Sequence, residues 1–113
     1  MAIVEITKTL YEQIDRKFKG KSVKVLQHLK SLEESPKKGK LLGTIGGIVI
    51  KEVKYEGFRF YFITDGFKLK YTSSEDLTDL LLRVVRMSDK KHQQQTIDEI
   101  KQILLTIGVE GLT

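Results

Sequence analysis

The chain contains no cysteine and no tryptophan, a single proline (Pro36) and two histidines, His28 and His92. Without cysteine there is no disulfide framework, no thiolate metal site and no thiol nucleophile. The two histidines stand on distant segments, with no carboxylate at metal-ligand spacing, so no zinc site is expected. No run approaches the roughly 18 consecutive apolar residues of a membrane span. The start, "MAIVEITKTL", lacks a charged region followed by a long apolar one, so no signal peptide is expected. The expected setting is the reduced cytoplasm, with no membrane partner. The glycines of "SPKKGKLLGTIGG" form neither GxxxxGK[ST] nor GxGxxG, which excludes the common phosphate cradles. No GxSxG elbow occurs either. Neither a metal nor an organic cofactor is expected.

What is present is ordinary globular material. The chain has 113 residues, 40% apolar and 31% charged, which reads as one domain over 1–113. Twenty basic residues against fifteen acidic ones give a net charge of +5. Such an excess points to a polyanion, nucleic acid above all, or to an acidic protein partner.

"AIVEIT" reads as a short first strand. Leu10, Ile14 and Phe18 then recur at helical spacing in "TLYEQIDRKFKG", stopped by Gly20. Val25 or Leu26, Leu29 and Leu32 make the stripe of a second helix that ends before Pro36. So short a link predicts a helical hairpin. His28 falls on the surface of its second helix. After a basic, glycine-rich loop, strands are predicted over 45–55, 58–64, 67–72 and 80–87. Glu56-Gly57 and Asp65-Gly66 are the hairpin signals. "SSEDLTD" reads as a polar connection with one helical turn. Thr96 and Glu99 fit a capping box for a last helix carrying Ile97, Ile100, Ile103 and Leu104, ended by Gly108. The expected fold is α+β: an N-terminal strand and helical hairpin on a small twisted antiparallel sheet, closed by a C-terminal helix.

The stretch "KEVKYEGFRFYFITDG" carries the chemistry. Phe58, Phe60 and Phe62 alternate onto one face, the expected core side, leaving Arg59, Tyr61 and Ile63 on the other. Whether Lys51 or Lys54 joins Arg59 depends on register. The last strand adds Arg83 and Arg86, and the following loop adds Lys90, Lys91 and His92. Cations beside tyrosine suit RNA, whose phosphates need positive charge and whose unpaired bases need stacking partners. Cleavage by an internal 2′-hydroxyl requires a base, a group that stabilises the phosphorane, and an acid for the leaving oxygen. Arginine suits the second role because it stays charged, and imidazole, which titrates near neutrality, suits the third. On periodicity alone the same residues read first as a solvated sheet face.

Four segments together resemble the RelE/ParE superfamily of toxins, and most closely its HigB-like branch of addiction-module killer proteins. They are "AIVEITKTLYEQIDRKF", "VLQHLKSLEESPKKGKLL", "VIKEVKYEGFRFYFITDGFKL" and "RMSDKKHQQQTIDEIKQIL". The matching residues are Pro36 with Gly39, Glu52-Val53-Lys54, Gly57-Phe58-Arg59-Phe60-Tyr61-Phe62, and Asp89-Lys90-Lys91 with Gln93 or Gln94. Phe58 stands where the family commonly has tyrosine, and residues 72–79 look inserted. The resemblance implies a RelE-like fold and a type II toxin. Such a toxin cuts messenger RNA at the ribosome without metal and is silenced by a cognate antitoxin. It implies Arg59 as the phosphate-stabilising arginine, Lys54 as a base or phosphate contact, and Lys90, Lys91 and His92 as the segment completing the site. Lys51 is a neighbouring candidate, and Arg83, Arg86 and Tyr61 are candidate RNA contacts. The superfamily also holds members without nuclease activity, so a protein-binding module, gyrase-directed or merely antitoxin-bound, is the alternative.

Overall fold

The computed structural model describes residues 2–73 and 80–113. Its elements run β1 (Ile3–Ile6), α1 (Lys8–Phe18), α2 (Ser22–Lys30), β2 (Lys40–Ile45), β3 (Ile48–Tyr55), β4 (Phe58–Asp65), α3 (Gly66–Tyr71), β5 (Leu81–Asp89) and α4 (Gln93–Thr106). The strands form one mixed sheet in the order β1-β5-β4-β3-β2. β1 runs parallel to β5, and the other neighbours are antiparallel. The α+β class stands, with its N-terminal strand, helical hairpin and closing helix. Among the described residues no helix is long and apolar enough to cross a membrane.

Each face of the sheet buries its own apolar layer. On one side α1, α2 and the turn that follows α2 bring Leu10, Ile14, Val25, Leu29 and Leu32 onto Val53, Phe60, Phe62, Leu82 and Val84. The row of alternate phenylalanines is thus on the core side, as expected, although Phe58 at its end is only half-buried. On the other side α4 sets Ile97, Ile100 and Leu104 onto Ile50, Tyr61, Ile63 and Val85. That second face was expected to be open, and it is a core. Val84 and Val85 enter opposite cores because consecutive strand residues face opposite sides. Tyr61 pairs with Arg86 and Phe62 with Val84, so Val85 is the extra residue of a bulge. A β-bulge shifts the side-chain phase, and Met87 rather than Arg86 then packs with Val84 against the helical hairpin's core.

Three local expectations are corrected. Residues 45–55 are not one strand, because Gly46 and Gly47 take positive φ (54° and 84°). Two such residues make a tight hairpin turn, so the basic loop before them becomes the edge strand β2. Residues 67–72 are not a strand, and Asp65-Gly66 is not a hairpin turn. The Asp65 carboxylate instead accepts the Lys68 amide at 3.0 Å and caps α3. Gly66 is pressed against β3: a Cβ there would lie 2.7 Å from Val49 Cγ2 and 2.9 Å from the Gly47 carbonyl oxygen. The last helix begins at Gln93, and Thr96 sits inside it, donating to the His92 carbonyl rather than capping. Glu56 and Gly57, with φ of 52° and 81°, do form the expected hairpin turn. The helical turn expected in "SSEDLTD" falls on residues 74–79, outside the described residues.

Glu33, in the turn just after α2, has a structural task. Its carboxylate accepts the Val4 amide at 2.8 Å, while Lys30 donates to the Val4 carbonyl. Both polar groups of a residue in an edge strand are thereby occupied, which guards that edge against pairing with another chain.

Candidate nucleic-acid interface

Register assigns the cations to faces. Lys54 lies directly across from Arg59, and Arg59 across from Ser88. Lys54, Arg59 and Ser88 therefore form a row over three adjacent strands at one end of the sheet. The turn carrying Asp89, Lys90, Lys91 and His92 follows immediately, with Lys90, Lys91 and His92 exposed. Lys51 pairs with Phe62 and so belongs to the opposite face. It does not join Arg59.

Arg59 is buried, at 9% exposure. Its Nη1 donates to the Gly57 carbonyl at 3.2 Å. Its Nε lies 3.8 Å from Glu52 Oε1, inside ion-pair range but too far for a hydrogen bond, and this buried donor has no acceptor. Glu52 is 2% exposed and also accepts from Gln93 Nε2 at 2.9 Å. The chain Gln93–Glu52–Arg59 ties the first residue of α4 to the arginine. Neither Glu52 nor Gln93 was singled out as functional from sequence. The "E-V-K" match carried Glu52 as a motif letter, and only burial shows that it counters Arg59. A guanidinium held this way keeps its charge and a fixed fork geometry, with donors left for an anion.

At the turn, Asp89 Oδ1 accepts both the His92 amide (2.9 Å) and His92 Nδ1 (2.8 Å). These two hydrogen bonds, the backbone one foremost, hold the Asp89 carboxyl below its ordinary value. The pairing fixes the imidazole on Nδ1 and leaves Nε2 for another partner.

The remaining candidates are placed otherwise. Tyr61 is fully buried and shares a 2.8 Å hydrogen bond with Ser88 Oγ. Burial pushes its hydroxyl up, and no face is left for a base to stack on, which corrects the stacking expectation. Arg86 joins three segments: its Nε donates to Glu99, and its Nη1 to the carbonyls of Val85 and Leu112. Arg83 is ion-paired with Glu5 at 3.2 Å, next to the parallel strand. Arg86 is spent on structure, Arg83 Nε is buried beside Glu5 without a hydrogen bond among the described residues, and both arginines stand apart from the Lys54–Arg59–Ser88 row. His28 rests on the Tyr55 ring, with centroids 4.6 Å apart. Burial and nearby Lys38 lower its pKa.

The helical hairpin adds cations that sequence reading passed over. Lys17, Lys21 and Lys24 line a cleft of about 500 Å3 with Tyr55 and Phe58. Lys17 Nζ lies 5.2 Å from the centre of the Phe58 ring. Helical periodicity shows these lysines only as a solvated face. The β3–β4 turn brings them to the same end of the molecule as Lys54 and Arg59. Among the described residues, no three His, Cys, Asp or Glu side chains cluster as a metal site would need. Comparison with family models, with curated proteins and with solved structures finds no match to this chain.

Proposed function

We propose that this protein is a toxin of the RelE/HigB-like kind, which cuts messenger RNA on the ribosome without metal and is restrained by a cognate antitoxin. The observation that carries the reading is the cross-strand row Lys54–Arg59–Ser88, followed at once by the exposed Lys90, Lys91 and His92. In this reading the scissile phosphate sits over Arg59, which offsets the charge that develops on the phosphorane. Lys54, exposed across the strand, contacts phosphate or accepts the 2′ proton. His92, oriented by Asp89, supplies a proton to the departing 5′ oxygen. Lys90 and Lys91, with Lys17, Lys21 and Lys24 on the helical side, carry the flanking backbone. Lys51 has no part in this site.

One observation favours a second reading. Arg59 already faces the buried carboxylate of Glu52, an arrangement that suits a non-nucleolytic member of the same class, one that binds a protein such as gyrase. Expression in a bacterial host separates the two. The nuclease reading predicts growth arrest with transcripts cut in translated regions, and loss of both for Arg59→Ala. Arrest with intact transcripts and altered DNA supercoiling would replace it with the second reading. Neither arrest nor cutting would remove both.

A further inference from the structure

The sheet buries a second cation, on the face opposite Arg59. There β2, β3 and α3 enclose a groove of about 570 Å3, bounded by Leu41, Val49, Lys51, Phe67, Leu69 and Tyr71. That volume falls in the range of small-molecule sites, which are mostly apolar with a few polar groups to fix orientation. Lys51 is the buried polar group here, at 6% exposure.

Its ammonium donates once, to the Lys37 carbonyl at 2.7 Å. Among the described residues no carboxylate pairs with it, and the Lys37 carbonyl is its one hydrogen-bond acceptor. An ammonium has three donors, and the described residues supply an acceptor for one of them. Burial holds the Lys51 pKa below the ordinary lysine value, as expected for a charge removed from water without a counter-charge. The groove walls show the converse deficit. Leu41, Phe67 and Tyr71 are 60%, 70% and 66% exposed, a contiguous set of large apolar side chains facing water. Lys70 lines the same groove, and among the described residues no acidic side chain does. The groove therefore presents one buried positive charge beside a contiguous apolar wall.

We propose that this groove binds a small amphiphilic carboxylate, its apolar body on Leu41, Val49, Leu69, Phe67 and Tyr71 and its anionic head on Lys51 Nζ. A single buried ammonium matches a single carboxylate, and a terminal carboxylate reaches it without burying peptide groups that would need their own partners. The site is independent of the RNA reading, because it shares no residue with it.

Octanoate and octanol are the probes, titrated into the full chain and followed by amide chemical shifts. Octanoate is expected to perturb Leu41, Val49, Lys51 and Gly66–Tyr71, and to bind at least ten times more tightly than octanol at neutral pH. Lys51→Met should weaken octanoate at least tenfold and leave octanol unchanged, while Lys51→Arg should retain octanoate binding. Phe67→Ser, at an exposed position, should weaken both probes and keeps the test decisive if Lys51→Met does not fold. Equal affinity for the two probes, undiminished octanoate binding by Lys51→Met or Phe67→Ser, or shifts confined to Lys54 and Lys90–His92 would each overturn the proposal. Concentration-dependent self-association that buries the groove, with no octanoate binding, would overturn it in favour of a second copy of the chain.

Discussion

Arg59 and Lys51 belong to the same β-hairpin and are about equally buried, yet the protein treats them differently. Arg59 faces the Glu52 carboxylate, which is itself anchored by Gln93. Lys51 faces a lone carbonyl. The identity of each residue suits its place: guanidinium keeps its charge when buried, whereas an ammonium yields by shifting its pKa. A charge that must persist is given an internal counter-ion, and one without a counter-ion is left ready to meet an anion or to lose its proton. The same contrast divides the two faces of the sheet. One carries the proposed phosphate site, and the other an apolar groove.

The largest change should come from making Arg59 resemble Lys51. Glu52→Ala leaves a buried guanidinium without its carboxylate and strands Gln93 at the start of α4. The expected loss is about 3 kcal/mol, as for breaking other buried ion pairs, read by urea denaturation. A loss below about 1 kcal/mol, on the scale of an exposed pair, would mean that Glu52 does not anchor Arg59. Tyr61→Phe removes a buried hydrogen bond on the Arg59 face without touching charge. Ser88 Oγ retains the Asp89 carbonyl as an acceptor, so about 1 kcal/mol is expected.

The smallest effect is one of pH. The folded-state pKa of Lys51 lies below its unfolded value, so between those two values the unfolded chain binds more protons than the native one. Stability contributed at this site therefore increases as pH climbs through the lowered folded pKa towards the unfolded value of 10.5. Lys51→Met should abolish that alkaline gain, seen as a flatter dependence of Tm on pH. An unchanged slope would show that Lys51 titrates as an ordinary surface lysine.

How much of this was readable in the sequence follows from which signals are local. Helical spacing of Leu10, Ile14, Val25 and Leu29 and the alternation of Phe58, Phe60 and Phe62 report burial directly, and both held. "FKLKY" alternates with equal regularity, but the capping carboxylate of Asp65 and the tight seat of Gly66 against β3 turn it into a helix. Local propensity yields there to a contact with a distant strand. The pairing of Lys54, rather than Lys51, with Arg59 is a matter of register, which the sequence left open. The burial of Tyr61 depends on which face α4 covers, and no periodicity encodes that. Glu52 was visible as a motif residue, but its coupling to Gln93 joins positions far apart in the chain. The cations of α1 and α2 were legible as charge and not as neighbours of the hairpin.

The central claim is that one end of the sheet, at Lys54 and Arg59, meets RNA, while Lys51 does not. Cutting of ribosome-bound messenger RNA by purified protein tests it most directly, comparing Lys54→Ala, Arg59→Lys and Lys51→Met with the unaltered chain. The expected result is a fall of about 100-fold or more for Arg59→Lys, which keeps charge opposite Glu52 but loses the planar fork. A smaller fall is expected for Lys54→Ala, and cutting by Lys51→Met should be unchanged. Loss of cutting by Lys51→Met in a folded protein, with Arg59→Lys as active as the parent, would contradict the account.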